Sequence, residues 1–234
     1  MTPLLHIQHL SKQFGDYQAL NQISFEVFEG EILGLIGPNG AGKTTLMECI
    51  AGLLPMDSGR VMAQGKPLSI EKRKEVMFYL PDGILPYGEQ RAIAILDFFR
   101  QGYGKGQEQM QLVIQQLALE PVLTKRISAL SKGYRRRFLL AIALLCPQPL
   151  LILDEPFDGF DLRQTITVMS LLREIARTRT LLLSIHQLTD AEKICDRFLL
   201  LCAGNLLGSG TLEELRTEAG MTKGNLEDVF LALT

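Results

Sequence analysis

The sequence predicts an α/β domain with a mainly parallel central sheet and a helical insertion at roughly 82–146. Three observations carry that expectation. "PLLILDEP" and "TLLLSIH" are apolar without alternation, as strands covered on both faces are. The stretch between them, "DLRQTITVMSLLREIART", is amphipathic at helical spacing, so strand, helix and strand follow one another as they do around a parallel sheet. From Asp82 to about Cys146 the apolar spacing is helical, with breaks at "GYGKG" and at Glu120-Pro121.

The other elements follow in chain order. "QISFEVFEGEILGLIG" (22–37) opens with Ile23, Phe25 and Val27 at alternate positions, a half-exposed strand. After Glu29-Gly30 the pattern becomes continuously apolar, a buried central strand that runs into a glycine-rich turn and then into "KTTLMECIAGLL", which has helical spacing. "EVMFYLP" (75–81) reads as another buried strand. "ALSKGYRRRF" (129–138) starts a helix and places four cations in six residues; Arg135 to Arg137 are expected on its surface, beside neighbouring acids. "RFLLLCAGNLLGSG" reads as two strands joined at Ala203-Gly204-Asn205. "TLEEL" opens a helix with a capping box from Thr211 to Glu214.

The totals exclude several classes. A net charge of −2 over 234 residues gives no support to a general nucleic-acid binder, so no nucleic-acid partner is expected. The longest apolar run, "FLLAIALLC" (138–146), is about half of the roughly 20 residues a membrane-spanning helix needs. The start, "MTPLLHIQHLSKQF", lacks the basic opening and apolar core of a signal peptide. Cys49, Cys146, Cys195 and Cys202 form no CxxC pair and read as buried thiols in a reducing cytosol.

"GPNGAGKT" matches the phosphate-loop pattern G-x-x-x-x-G-K-S/T, with a strand before it and a helix after it. Gly37, Pro38, Asn39, Gly40, Ala41 and Gly42 are expected to wrap backbone N–H groups around phosphate oxygens, which bulkier side chains would block. Lys43 can reach the β- and γ-phosphates, Thr44 can ligate Mg²⁺, and Thr45 adds a phosphate hydrogen bond at the positive end of the helix. "LLILDEP" puts Asp154 and Glu155 at the carboxyl edge of a buried strand, where open α/β sheets bind ligands. Asp154 is expected to hold Mg²⁺ through water, and Glu155 to orient or deprotonate an attacking water. These residues predict a nucleoside triphosphate site.

Taken in order, these motifs resemble an ATP-binding cassette (ABC) ATPase over nearly the whole chain. The resemblance implies a P-loop NTPase core with an N-terminal antiparallel β-subdomain and an inserted helical subdomain, all within one domain at 1–234, using ATP and Mg²⁺. The family's LSGGQ signature corresponds to Leu130-Ser131-Lys132-Gly133-Tyr134, with Lys132 in place of the first glycine and Tyr134 in place of the glutamine. By resemblance Ser131 and the Gly133 amide bind the γ-phosphate of an ATP held by a second ATPase subunit, in a homodimer or heterodimer. His186 falls at the switch histidine, Asp161 at the D-loop aspartate of the dimer interface, and Phe14 at the ring that stacks on adenine, with Tyr17 as the alternative. The glutamine that touches Mg²⁺ corresponds to Asp82, which is carried over as a metal ligand.

The resemblance also implies a partner. A polytopic membrane permease on another polypeptide would hold this ATPase at the cytoplasmic face of the cell membrane. "PNGAGKTT", the SKG signature and the closing "NLEDVFLALT" look most like ATPases paired with ABC-2-type exporters. The alternative is an ABC ATPase acting on DNA or ribosomes. Against it, no heptad run separates Lys43 from Ser131, and the chain carries one cassette.

Overall fold

A computed structural model describes residues 3–84 and 87–234. Strands β1 (Pro3–Phe14) and β2 (Tyr17–Phe28) form a long antiparallel hairpin turned at Gly15, whose φ is +56°. The alternation at Ile23, Phe25 and Val27 turns all three side chains inward. Where the sequence changes period, the chain changes sheets. β3 (Ile32–Ile36) is buried along its length and delivers the chain to α1 (Lys43–Ala51). β4 (Ser58–Ala63) and the short β5 (Lys66–Pro67) then return to the first sheet, which has the order β2-β1-β4-β5.

Helix α2 (Ile70–Val76) precedes β6 (Met77–Leu80), so the strand expected at 75–81 is shorter. Glu75 and Val76 close the helix instead. The expected insertion is helical from α3 (Ala92–Gly102) through α4 (Gln107–Gln116) to α5 (Lys132–Leu145), with 3₁₀ turns at Glu120–Val122 and Ile127–Ala129. Residues 85–86 of that range lie outside the described residues. β7 (Leu150–Asp154), α6 (Leu162–Ile175), β8 (Thr180–Ser184) and β9 (Arg197–Cys202) then follow as expected, with α7 (Leu188–Ile194), which the sequence reading did not include, between the last two. β10 (Asn205–Gly210) turns back antiparallel to β9, and α8 (Leu212–Glu218) opens with the Thr211–Glu214 capping box. α9 (Leu226–Leu233) follows.

The second sheet has the order β10-β9-β3-β8-β7-β6 and is parallel from β9 to β6. Its central strands β3, β7 and β8 bury both faces. Leu33, Leu35, Leu150 and Ile152 face α1 and the antiparallel sheet, in one core. Ile32, Ile36, Leu151 and Leu153 face the helices α3 to α6, in another. Polar groups tie the starts of these strands together. The Ile32 N–H donates to Asp196 at 2.8 Å, Arg197 pairs with Glu31 at 3.0 Å, and the Gly30 N–H donates to the Thr180 hydroxyl at 3.0 Å. The opposite ends of the same strands carry the chemistry.

Candidate nucleotide site

The loop at 37–42 joins β3 to α1 and leaves no room for a side chain at Gly37 or Gly42. A Cβ on Gly37 would lie 2.2 Å from the Leu201 carbonyl oxygen; Gly42 has φ +104°, and a Cβ there would lie 2.7 Å from the Ala19 carbonyl. No side chain caps α1, so its first N–H groups remain available to an anion. Lys43 is 6% exposed and its Nζ donates to the carbonyls of Gly37 at 2.7 Å and Pro38 at 3.1 Å. Burial pushes this ammonium below the usual lysine value, while the charges of Glu155 and Asp154 act in the opposite direction.

A cleft of about 250 Å³ lies over the loop, lined by Asn39, Gly40, Gly42, Lys43, Thr44 and Thr45 together with Glu155 and His186. Phe14 and Tyr17 both stand at its wall, 48% and 57% exposed, so both rings proposed for adenine are brought to the same place. The Lys12 ammonium sits 5.3 Å from the Phe14 ring centre and is paired with Asp57 at 3.0 Å; the Tyr17 hydroxyl donates to the Gly40 carbonyl at 3.4 Å.

Asp154 ends β7 at 1% exposure, and its carboxylate is held by hydroxyls. Oδ2 accepts from Thr44 at 2.9 Å and from Tyr79 at 3.5 Å, and Oδ1 accepts from Ser184. Burial first, and then the Asp154 charge, push the Tyr79 phenol upward, so it stays a protonated donor. The Ser184 oxygen also accepts the Glu155 N–H at 3.0 Å. Glu155 itself has φ +50°, a left-handed backbone uncommon outside glycine, which turns its side chain out of the strand toward His186. His186 Nε2 meets Glu155 Oε1. Sequence reasoning missed Ser184 and Tyr79. The available signal was their place in strands beside "LLILD", since β7 and β8 pair Asp154 with Ser184.

The signature residues lie elsewhere. Ser131 caps α5, accepting the Tyr134 N–H at 3.4 Å, and the lining of the phosphate cleft includes none of residues 131–134. Gly133 packs beside the loop after the acid pair, where a Cβ would lie 3.3 Å from the Gly159 carbonyl. Lys132 pairs with Asp158 at 2.7 Å, and Arg137 stacks 4.8 Å above the Tyr134 ring. Asp161 caps α6 through the Gln164 N–H at 2.8 Å. The expected surface position of Arg135 to Arg137 is corrected by Arg136, which is 5% exposed, pairs with Asp82 and donates to the Asp154 carbonyl at 3.4 Å. Helical geometry turns position 136 onto the same buried side as Leu139 and Leu140, and there a cation needs a counter-charge.

A phosphate loop at the carboxyl edge of a parallel sheet, with an acid pair at the same edge two strands away, defines an ATP-hydrolysing enzyme of the phosphate-loop class. The chain belongs more narrowly to the ABC transporter family, whose model matches residues 20–158. It is 33% identical over 220 residues to an uncharacterized ABC transporter ATP-binding protein of Methanocaldococcus jannaschii, covering 92% of this chain and 80% of that one. It is 31% identical over 224 residues to the Nod factor export ATP-binding protein I of Rhizobium etli, covering 89% and 68%. A solved ATP-binding subunit of an ABC transporter superposes with a TM-score of 0.89 at 29% identity, over 98% of this chain and 99% of that chain. Members of this family hydrolyse ATP to power transport. Among the described residues no helix is long and apolar enough to cross a membrane.

Proposed function

We propose that this chain is the ATPase subunit of an exporter: two ATPase subunits close around MgATP and drive a separate polytopic permease, which holds them at the cytoplasmic face of the membrane. One observation supports the reading: the lining of the phosphate cleft includes none of the signature residues 131–134, as expected if a second chain supplies them. Lys43 turns from its loop carbonyls to the β- and γ-phosphates, and Phe14 stacks on adenine. Ser131 and the Gly133 amide, from a second subunit, meet the γ-phosphate, with Lys132 and Tyr134 beside them and Asp161 at the interface.

Glu155 orients the attacking water, and His186, already against its carboxylate, keeps it aimed at the γ-phosphate. The Thr44 hydroxyl and Asp154 carboxylate, 2.9 Å apart, form the hard oxygen pair that suits Mg²⁺, and both would hold it. When bound it supplies positive charge against the phosphate oxygens. Export as the direction is supported by the SKG signature and by the relative named for Nod factor export.

Complementation tests the two-chain site. Lys43→Ala and Ser131→Arg should each abolish turnover in homodimers. In a mixed dimer both lesions fall in one site, and two-fold geometry leaves the other intact. Mixing the variants should restore ATPase activity, or one trapped nucleotide per dimer if hydrolysis needs both sites. Neither signal, with mixed dimers demonstrated, would place Ser131 outside a shared site.

A further inference from the structure

Two cations of α5 stand one helical turn apart, Lys132 exposed and Arg136 buried. Lys132 lies 2.7 Å from Asp158 Oδ2, and Arg136 engages Asp82 through one guanidinium nitrogen and the Asp154 carbonyl through the other. One carboxylate oxygen from each of Asp82, Glu155 and Asp158 lies within 4.8 Å of the other two. Three carboxylates this close repel one another, and the two cations offset most of that charge. The Arg136 side chain is 6% exposed, so the pair is desolvated on one side, and an arginine stripped of its partner there is costly. Its planar fork is what lets one side chain bridge a carboxylate and a carbonyl.

We propose that Arg136 is a positioning residue for ATP hydrolysis, and that Asp82 serves as its ion-pair partner and not as a metal ligand. Arg136 takes the Asp82 carboxylate out of the metal's ligand set and, through the Asp154 carbonyl, steadies the strand end from which Glu155 projects. This rests on the nucleotide-site reading above. An aspartate where the family has a glutamine adds a negative charge beside the triphosphate, and that charge is balanced from the same chain's signature helix. The pairing also gives the aspartate a role that glutamine could not fill, since a neutral amide leaves the buried guanidinium without a counter-charge.

Metal affinity separates the two roles. The free Mn²⁺ concentration, followed by electron paramagnetic resonance with the full chain and a non-hydrolysable ATP analogue, reports binding without turnover. Asp154→Asn should weaken Mn²⁺ binding at least tenfold, roughly the loss of one charged ligand, and Asp82→Asn less than about threefold. A tenfold loss in both overturns the proposal. No loss in either overturns the nucleotide-site reading beneath it. A double-mutant cycle read by urea unfolding in chelator should show Asp82→Asn and Arg136→Gln coupled by about tenfold in the unfolding equilibrium constant; additivity within twofold overturns the pairing. In turnover, Arg136→Gln should lower kcat about tenfold with the MgATP KM within threefold, and Arg136→Lys should recover part of the loss. A loss carried by KM instead overturns the positioning role. If Arg136→Gln does not fold, the Asp82 arm still decides the metal question, because asparagine keeps the shape of that side chain, which is 40% exposed.

Discussion

Ser184→Ala is a severe test of the site geometry, because one hydroxyl joins both acidic residues. Ser184 is 0% exposed at the end of β8, donates to the Asp154 carboxylate and accepts the Glu155 N–H at 3.0 Å. A hydrogen bond to a charged group contributes about 1.5–3 kcal/mol and a neutral one about 0.5–1.5 kcal/mol. Asp154 keeps Thr44 and Tyr79, and Glu155 is half-buried, so water relieves part of both losses. The expected destabilisation is therefore about 2–3 kcal/mol, or roughly 5–10 °C in Tm for a chain of this size. Turnover should fall further than stability suggests. The left-handed backbone of Glu155 costs on the order of 1–2 kcal/mol and is held by that hydroxyl; released, the carboxylate shifts, and a misplacement of about 1 Å costs about 10²-fold. Urea unfolding with an unchanged slope, together with steady-state ATPase rates, measures both effects. Ser170→Ala, on the exposed side of α6, is the control and should stay within about 0.5 kcal/mol. Destabilisation below about 0.5 kcal/mol with turnover within threefold of wild type would refute the reasoning.

Three further outcomes are expected. Glu155→Gln should bind MgATP but hydrolyse it about 10²–10⁴-fold more slowly, as loss of general-base assistance predicts, and should accumulate an ATP-dependent dimer on gel filtration. Phe14→Ala should raise the ATP KM about tenfold, from the 1–3 kcal/mol that stacking supplies per base, and Tyr17→Ala less; the reverse order in nucleotide-binding titrations would make Tyr17 the adenine ring. Of the four cysteines, only half-buried Cys202 should react quickly with a thiol reagent in the native protein. Cys49, Cys146 and Cys195 are buried, and burial pushes the Cys49 thiol up to about 11. Rapid labelling of Cys49, located by peptide mapping, would contradict that core.

The parts of the site legible in the sequence are those where backbone or charge leaves little choice. Only glycine fits at 37 and 42, and two carboxylates after a buried strand demand a cation, so both motifs could be read without coordinates. The switch from alternating to continuous apolar residues at Glu29-Gly30 correctly marked the passage between sheets. What was not legible depends on partners far along the chain. Arg136 looked like surface because its counter-charge, Asp82, lies 54 residues away, and Ser184 acquires its role only when β8 pairs with β7. Helix α2 escaped because "IEKRKEV" is polar almost throughout, leaving no apolar face for periodicity to reveal.

The central strands are apolar on both faces, and this bears on how the chain is made. Where one face of a strand meets water, a slip of one residue is penalised at once; β3, β7 and β8 lack that safeguard. Correct alignment falls to the polar ties at the strand starts and to Gly34, where any side chain would strike Cys195 Sγ at 2.7 Å. Those ties join distant segments, with 150 positions between Gly30 and Thr180. At about 5–20 residues per second, β3 waits roughly 8–30 s on the ribosome for both of its sheet neighbours. Through that interval the phosphate loop hangs from an unpaired, sticky strand. Nascent chains halted before β8 should therefore be insoluble unless a chaperone covers them, and the yield of active enzyme should follow the speed of translation across residues 37–202.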